Sequence, residues 1–390
     1  YKRQPQWQYR VEELMKSGFY TRPADGLTKE VAKQLYGEHF QDSITRIERF
    51  SACAFAHFLT YGLRLRERQI YEFQPIDLGN VCHSALEYYS RKLKEEHLSW
   101  TEIEEEKRQE YIDDSVEHAI SDYGNSVLYS SARNEYMIER IKRLLTRTIW
   151  ALTKQLEAGD FVPVAYEMRF ENGKIDRVDL CKDGDKVYVK VLDYKTGSKA
   201  FDVVALYHGL QLQLMVYMDA AVKMTQKHYP DSEVIPAGIF YYRLNDPFVE
   251  KEVVGEEEEI WQKVLKELKV DGVMNLKDET LEHLDHCQVG ESAVIPVKYN
   301  KNGSLSKNSK VASEQEFEVM MRHALGKVLK VHRKILSGEV AASPYRRKQE
   351  SGCDYCAYRH ICGFDQKIPG YKYRDIFEMT QSEVIAAMEA

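Results

Sequence analysis

The sequence predicts an α/β fold whose core runs helix, three strands, helix, strand. Residues 164–170, 174–180 and 187–193 are short segments rich in β-branched and aromatic residues, which is typical of strands. Glu171-Asn172-Gly173 separates the first two segments and Lys-Asp-Gly-Asp at 182–185 separates the last two. Both separators are hairpin turn sequences, so the three segments predict consecutive antiparallel strands.

Helical segments on both sides complete this core. Residues 79–96 predict a helix that carries Cys82 and His83, and a long charged helical stretch follows to about residue 156. After the third strand, a helix is predicted over 203–225 and a strand over 237–242. The order is therefore α-β-β-β-α-β, with a helical insertion between the first helix and the first strand.

Two capping boxes predict helix starts outside the core. Thr45-x-x-Glu48 predicts one near the N-terminal end of the sequence, and Ser313-x-x-Glu316 predicts a second for a helix that reaches residue 337. Between the core and the second of these helices, residues 268–312 are polar and turn-rich and predict irregular structure.

Composition limits the possible classes of protein. The chain has 390 residues, of which 43% are hydrophobic and 30% charged, enough to bury a large core in one or two domains. No apolar stretch is long enough for a membrane span, and no signal peptide is evident. The first residue is Tyr1 rather than Met, so we expect a piece of a longer polypeptide. The net charge of −7 does not indicate nucleic-acid binding, although an acidic protein can contain a basic groove.

Seven cysteines in a chain without a secretory signal argue against a disulfide framework. Cys353, Cys356 and Cys362 lie within ten residues, whereas Cys53 stands alone near the other end. Three cysteines so close together in a Gly- and aromatic-rich loop indicate ligation of a metal ion or a metal cluster. Thiolates suit both a tetrahedral zinc and an iron–sulfur cluster, so the spacing leaves both open.

A pair of carboxylates followed by a lysine indicates the chemistry of the core. Asp176 and Asp193 fall on neighbouring predicted strands, so both can reach one cation, and magnesium needs only one or two carboxylates. Strand alternation puts Lys195 on the same face as Asp193. A divalent cation activates water and offsets phosphoryl charge, and a nearby lysine stabilises the transition state. The pattern predicts metal-assisted cleavage of a phosphodiester.

Two further features accompany this pair. Gln213 and Tyr217 are four residues apart on one face of the predicted helix, where they can position Lys195 or a DNA backbone. Asp179 points to the opposite strand face from Asp176, so it can share a cation only across a bulge. Its other interpretation is a surface charge of the hairpin, and the sequence leaves the two open.

The residues together resemble the PD-(D/E)xK nuclease superfamily, in the branch with RecB-type nuclease domains. More narrowly, nearly the whole chain resembles the C-terminal region of the AddB family, the second subunits of bacterial AddAB helicase–nucleases. The segments that carry the resemblance are the nuclease motifs above together with Ser43-Ile-Thr-Arg-Ile-Glu48, Cys53-Ala-Phe-Ala-His-Phe, Tyr61-Gly-Leu-Arg-Leu-Arg-Glu-Arg68 and Cys353-Asp-Tyr-Cys356-Ala-Tyr-Arg-His-Ile-Cys362. The cysteine segments that bracket a nuclease core are the most specific of these.

The resemblance implies a restriction-endonuclease-like core with roles for individual residues. Those implied to hold Mg²⁺ are His83, Asp176, Asp193 and the Tyr194 carbonyl, with Asp179 left open. Lys195 would be the catalytic lysine, supported by Gln213 and Tyr217.

The resemblance also implies that Cys53, Cys353, Cys356 and Cys362 ligate a [4Fe–4S] cluster. Joining residue 53 to residue 362 would remove roughly 5–6 kcal/mol of unfolded-state entropy, so we favour a structural staple over an electron carrier. Cys82, Cys181 and Cys287 have no evident partners and are interpreted as ordinary thiols.

The resemblance further implies a function and partners. The chain would be a DNA exonuclease domain in the bacterial cytoplasm that processes double-strand ends for recombinational repair and cuts the 5′-ended strand. The sequence has no Gly-x4-Gly-Lys-Ser/Thr motif, and unwinding would belong to a heterodimer partner of AddA type. Basic and aromatic segments at 345–348, 355, 358–359 and 371–374 are candidates for contacts with single-stranded DNA.

Two other functions remain open at this stage. One is a stand-alone iron–sulfur exonuclease, and the other is a catalytically silent scaffold that holds DNA. The expected domains are an N-terminal extension (1–42), a cluster-proximal helix (43–70), a nuclease core (71–250, with a helical insertion at about 97–157), a helical and loop extension (251–340) and a C-terminal cysteine segment (341–390).

Overall fold

The structure is a computed structural model that describes residues 4–18, 26–37, 43–66, 75–124, 132–171, 173–197, 199–247, 257–368 and 370–390. The helices are α1 (Pro5–Gly18), α2 (Lys29–Tyr36), α3 (Ile44–Ala52), α4 (Ala54–His57), α5 (Pro75–Glu95), α6 (Glu105–Gly124), α7 (Ala132–Glu157), α8 (Val203–Tyr207), α9 (Gln213–His228), α10 (Glu257–Glu267), α11 (Asp278–Leu284), α12 (Glu314–Leu336), α13 (Arg359–Cys362) and α14 (Gln381–Glu389), with a π-helical turn at Phe58–Gly62. The strands are β1 (Val162–Phe170), β2 (Gly173–Asp183), β3 (Lys186–Lys195), β4 (Glu233–Arg243), β5 (Asp271–Asn275), β6 (Val311–Ala312), β7 (Tyr345–Arg347), β8 (Glu350–Ser351) and β9 (Arg374–Asp375).

The chain divides into two compact units. The first contains Tyr1–Arg68, His208–Leu210 and Lys327–Met379, and the second contains Gln69–Tyr207, Gln211–Gly326 and Thr380–Ala390. None of the helices within the described ranges has the length and apolar character that crossing a bilayer requires.

The second unit is built around a six-stranded sheet in the order β1-β2-β3-β4-β5-β6. The pairs β1–β2 and β2–β3 are antiparallel, and β3 pairs in parallel with β4 after the connection through α8 and α9. This confirms the predicted α/β class and its α-β-β-β-α-β order, with α5 as the first helix. β5 and β6 extend the sheet beyond the predicted core.

Strand β3 lies at the centre of this sheet, and residues 187–194 are all buried. Tyr188, Leu192 and Tyr194 belong to a hydrophobic cluster that includes residues of α5, α6 and α7. Helix α9 also contacts β3 and β4. Because both faces of a central strand are covered in this way, its sequence is almost continuously apolar, and the carboxylate of Asp193 within it is conspicuous.

The second unit differs from the prediction in two places. The helix predicted over 203–225 is divided into α8 and α9, with Gly209 at a φ of +78° between them. Residues 268–312 are not wholly irregular, because they contain β5 and α11. A Cβ on Gly272 would lie 1.9 Å from the Ile239 carbonyl oxygen, so a glycine is required where β5 approaches β4. A short strand containing glycine lacks the usual sequence pattern, which is why it was not predicted.

The two predicted capping boxes have opposite outcomes. Ser313 and Glu316 each bond the other's backbone amide at the start of α12, at 3.2 and 2.7 Å, which confirms that box. The box at Thr45 is wrong, because α3 begins at Ile44 with Ser43 as its N-cap. The helix then breaks at Cys53, whose extended backbone (φ −163°, ψ 116°) separates α3 from α4. The five predicted domain boundaries stay a prediction.

Candidate active site

Three carboxylates form a row across the first three strands. Continuing the register of the two antiparallel pairs places Glu167 of β1 beside Asp176 of β2, and Asp176 beside Asp193 of β3. Their exposed fractions are 8%, 7% and 1%. Since neighbouring residues across an antiparallel pair project to the same face, this row concentrates negative charge at one buried place.

His83 of α5 joins this row from the side. Its Nδ1 lies 3.4 Å from a carboxylate oxygen of Asp176 and 3.7 Å from one of Glu167. Its Nε2 lies 3.0 Å from the Tyr194 carbonyl oxygen. One ligand atom each from His83, Glu167 and Asp176 lies within 4.8 Å of the other two, so the group could hold a metal ion. Adjacent ligands of an octahedral cation with bonds of 2.0–2.1 Å are separated by about 3 Å, which these spacings approach.

Lys195 and helix α9 form the other side of the site. The Lys195 amine contacts the Asp193 carboxylate as an ion pair and donates a 3.1 Å hydrogen bond to Oε1 of Gln213. Nε2 of Gln213 donates in turn to the hydroxyl of Tyr217 at 2.7 Å. Gln213 and Tyr217 lie one turn apart on α9, so a rigid helix orients the lysine amine through a chain of bonds.

Burial and mutual repulsion dominate the electrostatics of the row. Burial raises the pKa of Asp176 to about 7, and the negative charge of Asp193 contributes to the same rise. Burial also raises the pKa of Asp193, against the opposing charge of Lys195. Burial opposes the charged form of His83, but Glu167 and Asp176 outweigh it and its pKa is raised. These buried anions lack enough positive charge around them, which is the condition that a bound cation relieves.

The structure does not bring Asp179 to this cluster. Its two carboxylate oxygens accept hydrogen bonds of 2.6 and 3.0 Å from Arg177, and one lies 2.8 Å from the amine of Lys190. The expected surface charge is wrong, because Asp179 is fully buried. The reason is strand alternation: Arg177 and Asp179 share the face opposite to Asp176, and no bulge in the β2–β3 pairing returns Asp179 to it.

Glu167 is the member of the site that the sequence analysis missed. It lies inside the predicted strand 164–170 with no motif around it, and its backbone adopts a left-handed φ of +49°. Counting back from the hairpin turn could have found it, because Phe170 pairs with Gly173 and the same register leads to Glu167 opposite Asp176. Lys174 forms an ion pair with its carboxylate. Burial works against its charge, but the bonds to His83 and Lys174 lower the pKa of Glu167.

The four cysteines singled out in the sequence line one cavity of about 120 Å³ in the first unit, at Cys53, Cys353, Cys356 and Cys362. Burial raises the pKa of the Cys53 thiol, and the nearby thiols of Cys362 and Cys356 raise it further. No three of these sulfur atoms lie within 4.8 Å of one another, in a search of the described residues.

The other cysteines lie elsewhere. Cys82 is buried and Cys287 is exposed. Contrary to expectation, Cys181 does have polar neighbours, because its sulfur lies within 4.8 Å of ligand atoms of Asp160 and His283.

The expected DNA-contact residues near the cysteines are in part engaged with carboxylates. Arg346 donates to Asp375 at 2.7 Å, and Arg347 donates to Glu378 at 2.7 and 3.0 Å. Tyr355, in contrast, is fully exposed.

An α-β-β-β-α-β core with acidic residues on adjacent strands and a lysine two residues after the last of them defines a nuclease fold that works with divalent cations. The chain belongs to the PD-(D/E)XK nuclease superfamily, whose family model matches residues 41–363.

The chain is also similar to curated proteins that are each named as the second subunit (B) of an ATP-dependent helicase/deoxyribonuclease. It is 41% identical over 391 residues to the one from Lachnoclostridium phytofermentans, covering 96% of this chain and 34% of that protein. Identity is 31% to the Thermoanaerobacter sp. protein (97% and 34% covered) and 32% to the Clostridium kluyveri protein (97% and 35% covered). The chain thus spans about a third of the length of these relatives.

Proposed function

We propose that this chain is the nuclease domain of a two-subunit helicase–nuclease that processes double-strand DNA ends for recombinational repair. The observation that carries the proposal is the row of Glu167, Asp176 and Asp193 with the amine of Lys195 beside it. The names of the relatives, each one subunit of a helicase/deoxyribonuclease, support the cellular role and a partner of AddA type.

The residues that would hold a divalent cation, with Mg²⁺ as the proposed ion, are His83, Glu167, Asp176 and Asp193, together with the Tyr194 carbonyl. An imidazole nitrogen and several oxygens suit a hard cation that keeps some of its waters. When bound, such a cation lowers the pKa of a water molecule and offsets charge on phosphoryl oxygens. The surplus of buried negative charge in the row supports its binding here.

Lys195 is proposed as the catalytic lysine. Its amine is partly exposed, and the contact with Asp193 favours its charged form, so it can donate to the attacking water or to a phosphoryl oxygen. Gln213 positions this amine by accepting one of its three N–H donors, and Tyr217 fixes the amide of Gln213. These two act through Lys195 rather than on the substrate.

The proposed substrate is a single strand from an unwound duplex end, and the 5′-ended strand is the one that this domain would cut. The partner subunit would supply ATP-driven unwinding and cleave the other strand. This assignment rests on similarity to relatives that are described as subunits of one complex.

Cys53, Cys353, Cys356 and Cys362 are proposed to ligate a [4Fe–4S] cluster. Four thiolates around a zinc ion, with Zn–S bonds of about 2.3 Å, would have sulfurs roughly 3.8 Å apart. The wider separation of these sulfurs and the cavity between them support a larger group. When bound, the cluster supplies a cross-link between distant parts of the chain.

The test is degradation of end-labelled DNA with magnesium by the full-length protein together with its partner subunit. We expect Asp193→Ala to abolish cleavage of one strand and leave cleavage of the other unchanged. Asp231→Asn, which removes an exposed carboxylate outside the site, should cleave both strands normally. Identical cleavage by Asp193→Ala and the native protein would contradict the proposal and leave the domain as a DNA-holding scaffold.

A further inference from the structure

A second cavity in the first unit, of about 190 Å³, collects positive side chains. Lys327, Lys330 and Lys334 line it from α12, where spacings of three and four residues place them on one helix face. Arg374 lines the same cavity from β9. Four cations therefore converge on one space from two different elements.

Few negative charges balance these cations. Among the described residues that line the cavity, Glu339 is the only carboxylate, and it is bonded to Lys334 at 3.0 and 3.1 Å. Burial lowers the pKa of Lys327, and the charges of Lys330, Lys334 and Arg374 lower it further. Like charges held together in a partly buried cavity are unfavourable, and an anion between them would remove that cost.

The cavity also contains a buried hydroxyl with no use in the fold. Ser51 is 6% exposed, and its Oγ has no hydrogen-bond partner within the described part of the chain. Gly209, at a φ of +78°, packs so closely that a Cβ there would lie 2.8 Å from this oxygen. An orphaned hydroxyl beside four cations is the arrangement expected of a donor that waits for a ligand.

We propose that this cavity binds a phosphate group, and that the group is a backbone phosphate of single-stranded DNA. The phosphate chemistry follows from a hydroxyl donor and several ammonium and guanidinium donors that approach from different sides, which suits an anion with several acceptor oxygens. DNA as its source rests on the proposed function. The cavity would then hold the strand at a point outside the carboxylate row.

The first test measures the binding of labelled single-stranded DNA to the full-length protein in EDTA, as a function of salt. Each phosphate contact on a single strand contributes about 0.7 to the slope of log affinity against log salt, or about fivefold at 0.1 M salt. We expect Lys327→Gln and Lys330→Gln each to lose that amount. Arg333→Gln removes the same charge from an exposed position of α12 that does not line the cavity, and its slope should stay native.

A second variant separates ligand binding from charge and from folding. Ser51→Ala removes only a hydroxyl that the fold leaves unbonded, so the melting temperature without phosphate should not fall. Its DNA affinity should nevertheless fall several-fold, with an unchanged salt slope. A native affinity in Ser51→Ala would overturn the role of this hydroxyl as a phosphate donor.

Inorganic pyrophosphate distinguishes the sources of the phosphate group. If pyrophosphate raises the melting temperature of the native protein but not of Lys327→Gln, while both bind DNA with the same slope, DNA is overturned as the source. Native DNA slopes together with a native pyrophosphate response in the lysine variants would overturn the site itself. These measurements need no DNA cleavage, so they remain decisive even if Asp193→Ala shows that the nuclease assignment is wrong.

Discussion

The carboxylate of Asp176 accepts a 2.7 Å hydrogen bond from the backbone amide of Tyr194 on the neighbouring strand. The regular pairing of β2 with β3 extends to Arg177 and Leu192, so this bond lies just beyond it and a side chain takes the place of a backbone acceptor. The bond fixes one oxygen of Asp176 and keeps the Tyr194 carbonyl near His83. One residue thus shapes the strand end and supplies charge to the site.

These two roles of Asp176 can be separated by Asp176→Asn. The amide oxygen can still accept from Tyr194, but the negative charge is lost, so we expect cleavage with magnesium to fall about 100-fold or more because cation affinity falls. The melting temperature should not decrease, because burial of this charge is unfavourable. Activity assays and thermal melts check this, and a large loss of stability would mean that the charge itself holds the strands together.

The bond chain from Lys195 to Tyr217 predicts graded effects. Lys195→Ala should lower kcat about 10²–10³-fold, as the loss of one transition-state donor does. Gln213→Ala should lower activity about 10–100-fold, because it only orients the lysine. If Gln213 acts through Lys195, the double variant should be no worse than Lys195→Ala alone. Multiplicative losses would instead indicate that Gln213 contacts the substrate directly.

Asp179 should matter for stability rather than for metal binding. Asp179→Ala leaves Arg177 and Lys190 buried without their partner, so the free energy of unfolding should fall by about 3–5 kcal/mol. Asp185→Asn, at an exposed turn position of the neighbouring hairpin, serves as the control with a negligible expected change. Denaturant titration measures both. A stable Asp179→Ala protein with weakened magnesium binding would instead make Asp179 a metal ligand.

His57 should make stability fall in acid. Its ring lies against Tyr36, Phe50 and Tyr61, its Nε2 has no hydrogen-bond partner among the described residues, and burial lowers its pKa from 6.5 to about 3. The unfolded chain therefore binds the proton more readily between these values, and folding weakens as the pH falls below 6.5. We expect a loss of about 2 kcal/mol between pH 7 and pH 5.

His57→Phe keeps a ring in this place and removes the titration, so that component of the pH dependence should disappear. His97→Asn is the control, because His97 is exposed and asparagine tolerates its φ of +56°. Denaturation at the two pH values tests both. An unchanged pH dependence in His57→Phe would show that other groups cause the acid sensitivity.

The cysteine cavity predicts a bound iron–sulfur cluster. Anaerobically purified protein should be brown and contain iron, and Cys356→Ser should lose both the colour and the iron. Cys181→Ser removes a buried thiol outside this cavity and should keep the iron of the native protein. Zinc in place of iron in the native protein would contradict the cluster and favour a single tetrahedral ion.

The sequence predicts the part of the site that follows strand periodicity. Asp193 and Lys195 are two residues apart on a strand, so their common face could be read directly, as could the helix spacing of Gln213 and Tyr217. Glu167 was missed because its role depends on the register with β2 rather than on any local pattern. The partners of Asp179 were missed for a similar reason, because a buried ion pair is decided by which faces the sheet covers.

Strand β3 is bonded to β2 on one edge and to β4 on the other, and both of its faces are covered. A slip of a single residue would turn Asp193 and Lys195 to the wrong side together. The centre should therefore be all-or-none, either complete or lost outright, with little room for gradual adjustment. Any adaptation to a different substrate has to come from the segments that surround the strand, and an engineer who wishes to redirect this domain should leave β3 untouched.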